Sequence, residues 1–472
     1  MSELEEYRHQ IREIDQRVLT LIKDRLNIGI KLSEIKHSLG LPIIDTDAEQ
    51  AAMDNLVRTS AALGVDISFA RQLGELLIEK TIEIQNNHRS AGQPAKKSKD
   101  QILKEIIELT QAMLVDGKKI ARFEIGEPNF PPPQPVIREL TTVFKKKKII
   151  GYGAAVGLPE LRKKLAVELS NEHHVRIDPD QIVITPGARF AIFATVMSFV
   201  SELERVVIPQ PAFPAYEECV SLTHGRAIPV AASLDNNWEL NFSKIEAELR
   251  KGARMIVLNS PNNPTGKVIS KDKFHDLVEL ARKHDTLVLS DEVYERYVHS
   301  KAPSILDEEY TNSIYVNSFS KRFGLTGWRI AYLVTSKEYA KRIRRIIHTA
   351  VTCVPEFIQR AALIALKQGE SDAERNRRSI LRKVDLTCRE LSKIDVEFYK
   401  PDGAFYVFPR SNKPNFDSVK FATKLLKEQH VSVVPGESFG NYPAFFRLAV
   451  SLPEAQIPNA IRSIGKAVEH WS

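Results

Sequence analysis

No proline occurs between Met1 and Leu41, and no other feature narrows so sharply what this chain can fold into. Within that run Ile11, Ile14, Val18, Leu21, Ile22, Ile28, Leu32 and Ile35 recur at helical spacing. The pattern permits one unbroken helix of about 35 residues, long enough to protrude from a small domain unless a partner covers it. Pro42 ends it. A second helix is expected from near Thr46, where Thr46-x-x-Glu49 has the form of a capping box, and a third over residues 68–85. Three helices with one unusually long member point to an intertwined helical dimer.

The pattern changes after residues 86–100, NNHRSAGQPAKKSKD, a polar stretch with Gly and Pro that reads as a linker. Beyond it, short apolar runs alternate with amphipathic helical stretches. Strands are expected at residues 181–185, 205–209, 254–259, 286–290 and 313–317. Helices between several of them predict a parallel α/β sheet. The 472 residues correspond to about three folding units. A charged start, no apolar run long enough to span a bilayer, and three widely spaced cysteines (Cys219, Cys353, Cys388) predict a cytoplasmic chain with no membrane segment or disulfide framework. The net charge of +7 includes basic runs at Lys96, Lys97 and Lys99 and at residues 145–148, but no nucleic-acid motif accompanies them. Solvated surface, or attraction of anionic substrates, is the expected role of that charge.

Several polar clusters directly follow expected strands, the edge where open α/β sheets bind ligands. Thr185-Pro-Gly-Ala-Arg189 leads from a strand into an apolar helix, so Gly187 and the N–H groups behind it could hold a phosphate; an ordinary strand-to-helix turn would look similar. Asp291 follows Leu-Val-Leu-Ser and could be a helix cap or a carboxylate set against a pyridinium nitrogen. In Asn317-Ser-Phe-Ser-Lys-Arg-Phe-Gly-Leu-Thr-Gly-Trp-Arg329, two serines and a distal arginine flank one lysine. Hydroxyls and a guanidinium make a phosphate cup, and a lysine beside it could bond an aldehyde cofactor.

Taken jointly, Ser260-Pro-Asn-Asn-Pro-Thr-Gly266, Ser290-Asp-Glu-Val-Tyr294, Ser318-Phe-Ser-Lys321 and Gly327-Trp-Arg329, in that order, with Gly126-Glu-Pro-Asn129 before and Phe446-Arg447 after, resemble the class I, fold type I, pyridoxal-phosphate aminotransferases. The likeness is to the aspartate/aromatic branch. It implies a fold type I domain over residues 101–472, with a large parallel-sheet part at about 150–330 and a smaller α+β part from 101–149 and 331–472. It also implies pyridoxal 5'-phosphate as cofactor and no metal. By this resemblance Lys321 bonds the cofactor and moves the substrate α-proton. Asp291 pairs with the ring nitrogen, and Tyr294 and Asn263 flank the ring oxygen. Phe213 stacks on the ring. Gly187, Ala188, Arg189, Ser318, Ser320 and Arg329 hold the phosphate, with Tyr152 reaching the phosphate of a partner subunit. Arg447 grips the substrate α-carboxylate, and Gly126 lets the substrate approach the backbone.

In the N-terminal segment, Arg25 and Lys36 are 11 residues apart and fall within about 20° of each other on one helix face, about 16 Å apart. Two long side chains so placed could close on a small dianion. Arg8 lies about 100° off that face and suits a pocket shared between two chains. Thr81 and Gln85 form an i, i+4 pair on the third helix. Arg8, Asp15, Arg25, Lys36, Asp45, Glu49, Thr81 and Gln85 together resemble the all-helical chorismate mutases of the intertwined dimer type, over a domain at residues 1–88 with a linker at 89–100. The resemblance implies that Arg25, and Arg8 of the partner chain, hold the two substrate carboxylates. Lys36 and Gln85 would meet the ether oxygen, and Asp45 and Glu49 the ring-hydroxyl side. Thr81 stands in place of the more usual serine. Ala48 stands where many members carry arginine, which lowers the pocket's positive charge.

These readings predict a bifunctional enzyme of aromatic amino-acid biosynthesis, converting chorismate to prephenate and transaminating prephenate or an aromatic oxo acid. Its partners would be chorismate, amino acids and oxo acids, with no nucleic acid or membrane, in a homodimer or larger homo-oligomer. Arg189 could instead meet a distal substrate carboxylate or stand exposed at a helix start. Two alternatives are a transaminase whose N-terminal domain only binds chorismate or dimerises, and a lyase of the same fold.

Overall fold

A computed structural model describes residues 3–38, 46–89, 97–146 and 151–471. The chain divides into two compact units between Lys97 and Ser98.

The first unit is three helices, α1 (Glu3–Ser38), α2 (Thr46–Leu63) and α3 (Ile67–Arg89). The 36 residues of α1 form one helix, as its lack of proline allows. Both α1 and α2 pack on α3. The close approach of α1 and α3 depends on Gly29, where a Cβ would lie 2.7 Å from Thr81 Cγ2. Most of the apolar stripe of α1 faces outward: Ile11, Ile14, Leu21, Ile28 and Ile35 are all more than half exposed.

The second unit is built on a seven-stranded sheet, numbered here β1 (Ile182–Thr185), β2 (Arg205–Gln210), β3 (Arg226–Ala231), β4 (Met255–Asn259), β5 (Leu287–Asp291), β6 (Ser313–Ser318) and β7 (Ala331–Thr335). Its order is β1-β7-β6-β5-β4-β2-β3. The pairings of β6 with β5, β5 with β4, β4 with β2 and β2 with β3 are parallel. The sheet is mostly parallel, as expected, with one exception: β7, a strand not among those expected, runs antiparallel to both neighbours, β1 and β6. A parallel return from β6 would need a long crossover, and residues 319–330 are spent on a short helix and one 3-10 turn instead. Ala331 consequently pairs with Thr185 on one side and Ser318 on the other. The connection carrying Lys321 and Arg329 therefore sits at the edge where β1 and β6 end.

Apolar cores cover both faces of this sheet. They include Ala340, Ile343 and Ile347 of the helix Lys337–Val351 and Ala361, Ala362 and Leu366 of Glu356–Gln368. Residues 331–368 thus belong with the sheet, not with the smaller part to which a boundary near 330 would assign them. A separate core joins Ile106 and Phe123 to the helices Glu370–Leu391, Ser418–Gln429 and Ile457–Glu469 and to a small antiparallel sheet of Tyr406–Val407, Phe446–Ala449 and Val434–Pro435. The helix Lys99–Val115 is capped by Ser98 in a reciprocal capping box with Gln101.

Candidate active site

The carboxyl ends of β1, β4, β5 and β6 open on a cavity of about 360 Å³. Strand polarity alone brings Asn259, Asp291 and Ser318 to that edge, because each is the last residue of its strand. Gly126, Ala188, Arg189, Phe213, Asn263, Asp291, Tyr294, Ser318, Ser320, Lys321, Arg329 and Arg447, singled out from scattered stretches of sequence, line this one cavity. Tyr152 does not line it and is 89% exposed.

Asp291 is fully enclosed. Tyr216 Oη donates to its Oδ2 at 2.7 Å, and Asn259 Nδ2 donates to its backbone oxygen at 2.9 Å. Burial pushes the carboxyl up to about 6, against the hydrogen bond from Tyr216, the Val293 N–H and the nearby Lys321 charge, which favour the anion. Lys321 lies on the short helix Phe319–Arg322, held from behind by Tyr297 Oη donating to its backbone oxygen at 2.6 Å. Its ammonium donates to the Gly126 oxygen. Burial lowers it to about 8; Glu127 opposes that shift, and the Arg447 and Arg329 guanidiniums reinforce it. A carboxylate and an amine thus share one enclosed space, each displaced toward neutrality by loss of water.

Next to Lys321, the helix Ala188–Phe199 starts without a side-chain cap, behind Gly187 in a left-handed conformation at φ 96°. The N–H groups of Phe190 and Ala191 bond back to the Gly187 oxygen, and Ala188 and Arg189 face the cavity. A Cβ on Gly187 would lie 2.3 Å from Arg329 Nη2, so only glycine lets that guanidinium lie against the helix start. Arg329 bonds through Nη1 to the Thr326 oxygen at 3.0 Å. Ser318 Oγ accepts from the Ser320 N–H at 3.0 Å. A guanidinium, two hydroxyls and a helix N-terminus on one spot are the donor set of a phosphate site.

At the opposite end Arg447 is buried between the rings of Tyr406 and Phe439, 4.8 and 5.2 Å from their centroids. Its Nη1 donates to Asn263 Oδ1 at 3.2 Å and its Nη2 to the Glu124 backbone oxygen at 2.5 Å, while Nε has no hydrogen-bond partner among the described residues. Burial pushes this guanidinium below its ordinary range. A buried cation whose hydrogen bonds all go to neutral oxygens favours an incoming carboxylate. The separated phosphate donors, ring-nitrogen carboxylate and amine together fit pyridoxal phosphate.

Sequence reasoning missed Tyr216, Tyr406, Leu103 and Ile107, which also line the cavity. Tyr216 follows Phe213 by three residues and could have been found from that spacing. Tyr406 carries no local signal: its Oη lies 2.7 Å from Tyr294 Oη, 112 residues away in sequence.

In the first unit Arg25 Nη1 donates to Thr81 Oγ1 at 2.7 Å and to the Leu77 oxygen at 2.8 Å. Burial lowers its guanidinium from the ordinary value. Gln85 Nε2 donates to the Gly29 oxygen at 3.0 Å. Arg25, Thr81 and Gln85 therefore meet along the α1–α3 contact. Lys36 and Glu49 are half-buried on α1 and α2, and Ala48 is exposed. Arg8 is exposed near the start of α1, paired to Glu5 at 2.7 Å and apart from that group. Asp45 lies outside the described residues.

Residues 118–464 match the family described as aminotransferase class I and II, and residues 7–86 match chorismate mutase type II. The chain is 34% identical over 365 residues to the probable aspartate/prephenate aminotransferase of Aquifex aeolicus, covering 75% of this chain and 92% of that protein. It is 34% identical over 345 residues to aromatic-amino-acid aminotransferase 2 of Thermococcus litoralis, covering 72% of this chain and 87% of that one. Among solved structures, the aspartate aminotransferase of Thermotoga maritima superposes with a TM-score of 0.74 at 30% identity, covering 81% of this chain and 99% of that chain. The Thermus thermophilus aspartate aminotransferase with maleate gives a TM-score of 0.73 at 27% identity, covering 80% and 98%. The chain belongs to the class I and II aminotransferase family, whose members use pyridoxal phosphate, and with a chorismate mutase domain ahead of that region it is a bifunctional transferase and isomerase of aromatic amino-acid biosynthesis.

Proposed function

We propose that the two activities are consecutive, the second unit transaminating the prephenate that the first unit makes. The observation that carries this is the pairing, in one cavity, of a buried arginine, Arg447, with a half-exposed one, Arg189. Prephenate has an oxo-acid carboxylate for Arg447 and a second carboxylate for Arg189. The Aquifex relative's name, aspartate/prephenate aminotransferase, supports the same acceptor. The apolar side chains of Leu103 and Ile107 favour a second reading, in which phenylpyruvate or 4-hydroxyphenylpyruvate is the acceptor.

When bound, pyridoxal phosphate supplies an aldehyde for the amino group and a ring that draws electrons from the substrate α-carbon. The chain's own residues do the rest. Ser318, Ser320, Arg329 and the backbone at Gly187, Ala188 and Arg189 hold the phosphate. Asp291, kept anionic by the ring N–H⁺ and the Tyr216 hydrogen bond, holds the ring nitrogen protonated. Tyr294 and Asn263 flank the ring oxygen, and Phe213 covers the ring face. Arg447 fixes the α-carboxylate so that the α-C–H bond faces Lys321. The Lys321 amine, with its lowered proton affinity, would be the group that takes up and gives back that proton. Tyr152, outside its own cavity, would reach the phosphate of a partner subunit.

In the first unit, Arg25 with Arg8 of a second chain would hold the carboxylates of chorismate. Lys36 and Gln85 would donate to the ether oxygen as charge grows on it, with Glu49 and Asp45 at the hydroxyl side. This rearrangement needs only a compact conformer and aimed donors. The exposed apolar stripe of α1 supports a homodimer, since a second copy would bury it. Among the described residues no helix is long and apolar enough to cross a membrane, and the three cysteines are free thiols, which supports a cytoplasmic setting.

The test offers the amino-loaded enzyme prephenate, 4-hydroxyphenylpyruvate and oxaloacetate in turn. Prephenate returning the cofactor's absorbance fastest is the expected result. No return with prephenate overturns the consecutive reading, and faster return with 4-hydroxyphenylpyruvate establishes the second one.

A further inference from the structure

The helix Lys99–Val115 supplies a wall of the cavity with an unusual composition. Asp100, in its first turn, is only 4% exposed. Its Oδ2 lies 2.6 Å from Lys104 Nζ, and its Oδ1 lies 3.6 Å from Arg189 Nη2. Leu103 and Ile107, which line the cavity, follow at i+3 and i+7 and share the same helix face. Lys99 Nζ pairs with Glu217 at 2.6 Å and ties this first turn to the helix Ala215–Ser221, just after Phe213. The Arg189 guanidinium lies over the Phe213 ring, 5.0 Å from its centroid. One helix face thus sets an anion and two aliphatic groups beside the arginine that would meet a substrate's far end.

We propose that Asp100 is a selectivity-determining counter-charge, holding Arg189 when the substrate side chain is uncharged and ceding it to a distal carboxylate. This rests on the reading of Arg189 as the group that meets such a carboxylate. Without Asp100, an aromatic side chain would enter beside an unbalanced cation, which disfavours it. With Asp100, a dicarboxylic substrate must displace an existing partner. The two substrate classes are thereby drawn closer in affinity. The 3.6 Å separation is longer than a hydrogen-bonded ion pair, and Arg189 is half-exposed, so the pair is weak enough to exchange. Asp100 keeps Lys104 when Arg189 leaves, so its carboxylate is not stranded.

The test measures KM and kcat of the full-length, cofactor-loaded enzyme with oxaloacetate and with phenylpyruvate. In Asp100→Asn the expected result is a KM for oxaloacetate lowered about fivefold and a KM for phenylpyruvate raised by about as much, with kcat little changed. Equal changes for both substrates would make Asp100 a helix anchor only and overturn the proposal. Lys104→Gln removes a pairing from the same turn; a variant reproducing the Asp100→Asn shift overturns the proposal, and one that does not supports it. Arg189→Gln examines the underlying reading separately. If it leaves the KM for oxaloacetate unchanged, the distal-carboxylate role of Arg189 fails, whatever Asp100→Asn does.

Discussion

The two units handle charge in opposite ways. The transaminase cavity takes its ionisable groups out of water: Asp291 is raised to about 6 and Lys321 lowered to about 8, chiefly by burial. The mutase unit places its groups along helix faces, with Arg25 half-buried, Arg8 exposed and the apolar stripe of α1 uncovered. One site is complete in its low-dielectric shell within a single unit, apart from the expected contribution of Tyr152. The other leaves its donors on helix faces beside an uncovered apolar stripe, an arrangement that the proposed homodimer would enclose. The difference follows from architecture. A sheet covered on both faces can bury a cavity at its edge, whereas three helices have too little interior to do so.

The strongest way to break this contrast is to remove one group from each site and measure both activities. Lys321→Ala is expected to lower transamination on the order of 10⁴-fold while chorismate consumption stays unchanged. Loss of both activities together would show that the sites are not separate. Arg447→Lys comes next, with kcat/KM for amino acids and oxo acids falling on the order of 10²–10³-fold, because an ammonium cannot reproduce the planar fork. A loss under tenfold would show that the buried guanidinium does not grip the carboxylate. Arg25→Ala is the mirror experiment. Chorismate consumption should fall on the order of 10²-fold with transamination retained.

The smallest effect sharpens the burial side of the comparison. In the cofactor-free chain, Asp291 binds its proton more tightly when folded than its ordinary value of 3.8 allows when unfolded. Between about pH 4 and 6 the native state therefore holds more protons, and this group's contribution to stability falls as pH rises, by up to about 3 kcal/mol. Asp291→Asn should flatten denaturation midpoints across that window; an unchanged slope would show that Asp291 is not the titrating group.

Much of the transaminase site was legible because its parts are short and local. Ser318, Ser320 and Lys321 lie within four residues, and Asp291 ends an apolar strand, so residue type and strand polarity together indicate what each can do. The length of α1 was equally legible, since an absence of proline and a 3.6-residue period need no tertiary information. The antiparallel course of β7, the hydrogen bond from Tyr216 to Asp291 and the contact of Tyr294 with Tyr406 were not. Each depends on where distant segments cross, and nothing in a local pattern specifies that. Residue type and chain order are enough to say which side chains can bring charge, hydroxyls or an amine to a strand end. Only the tertiary structure decided how far each is removed from water and which partner it faces, because desolvation and pairing depend on the packing of the whole chain.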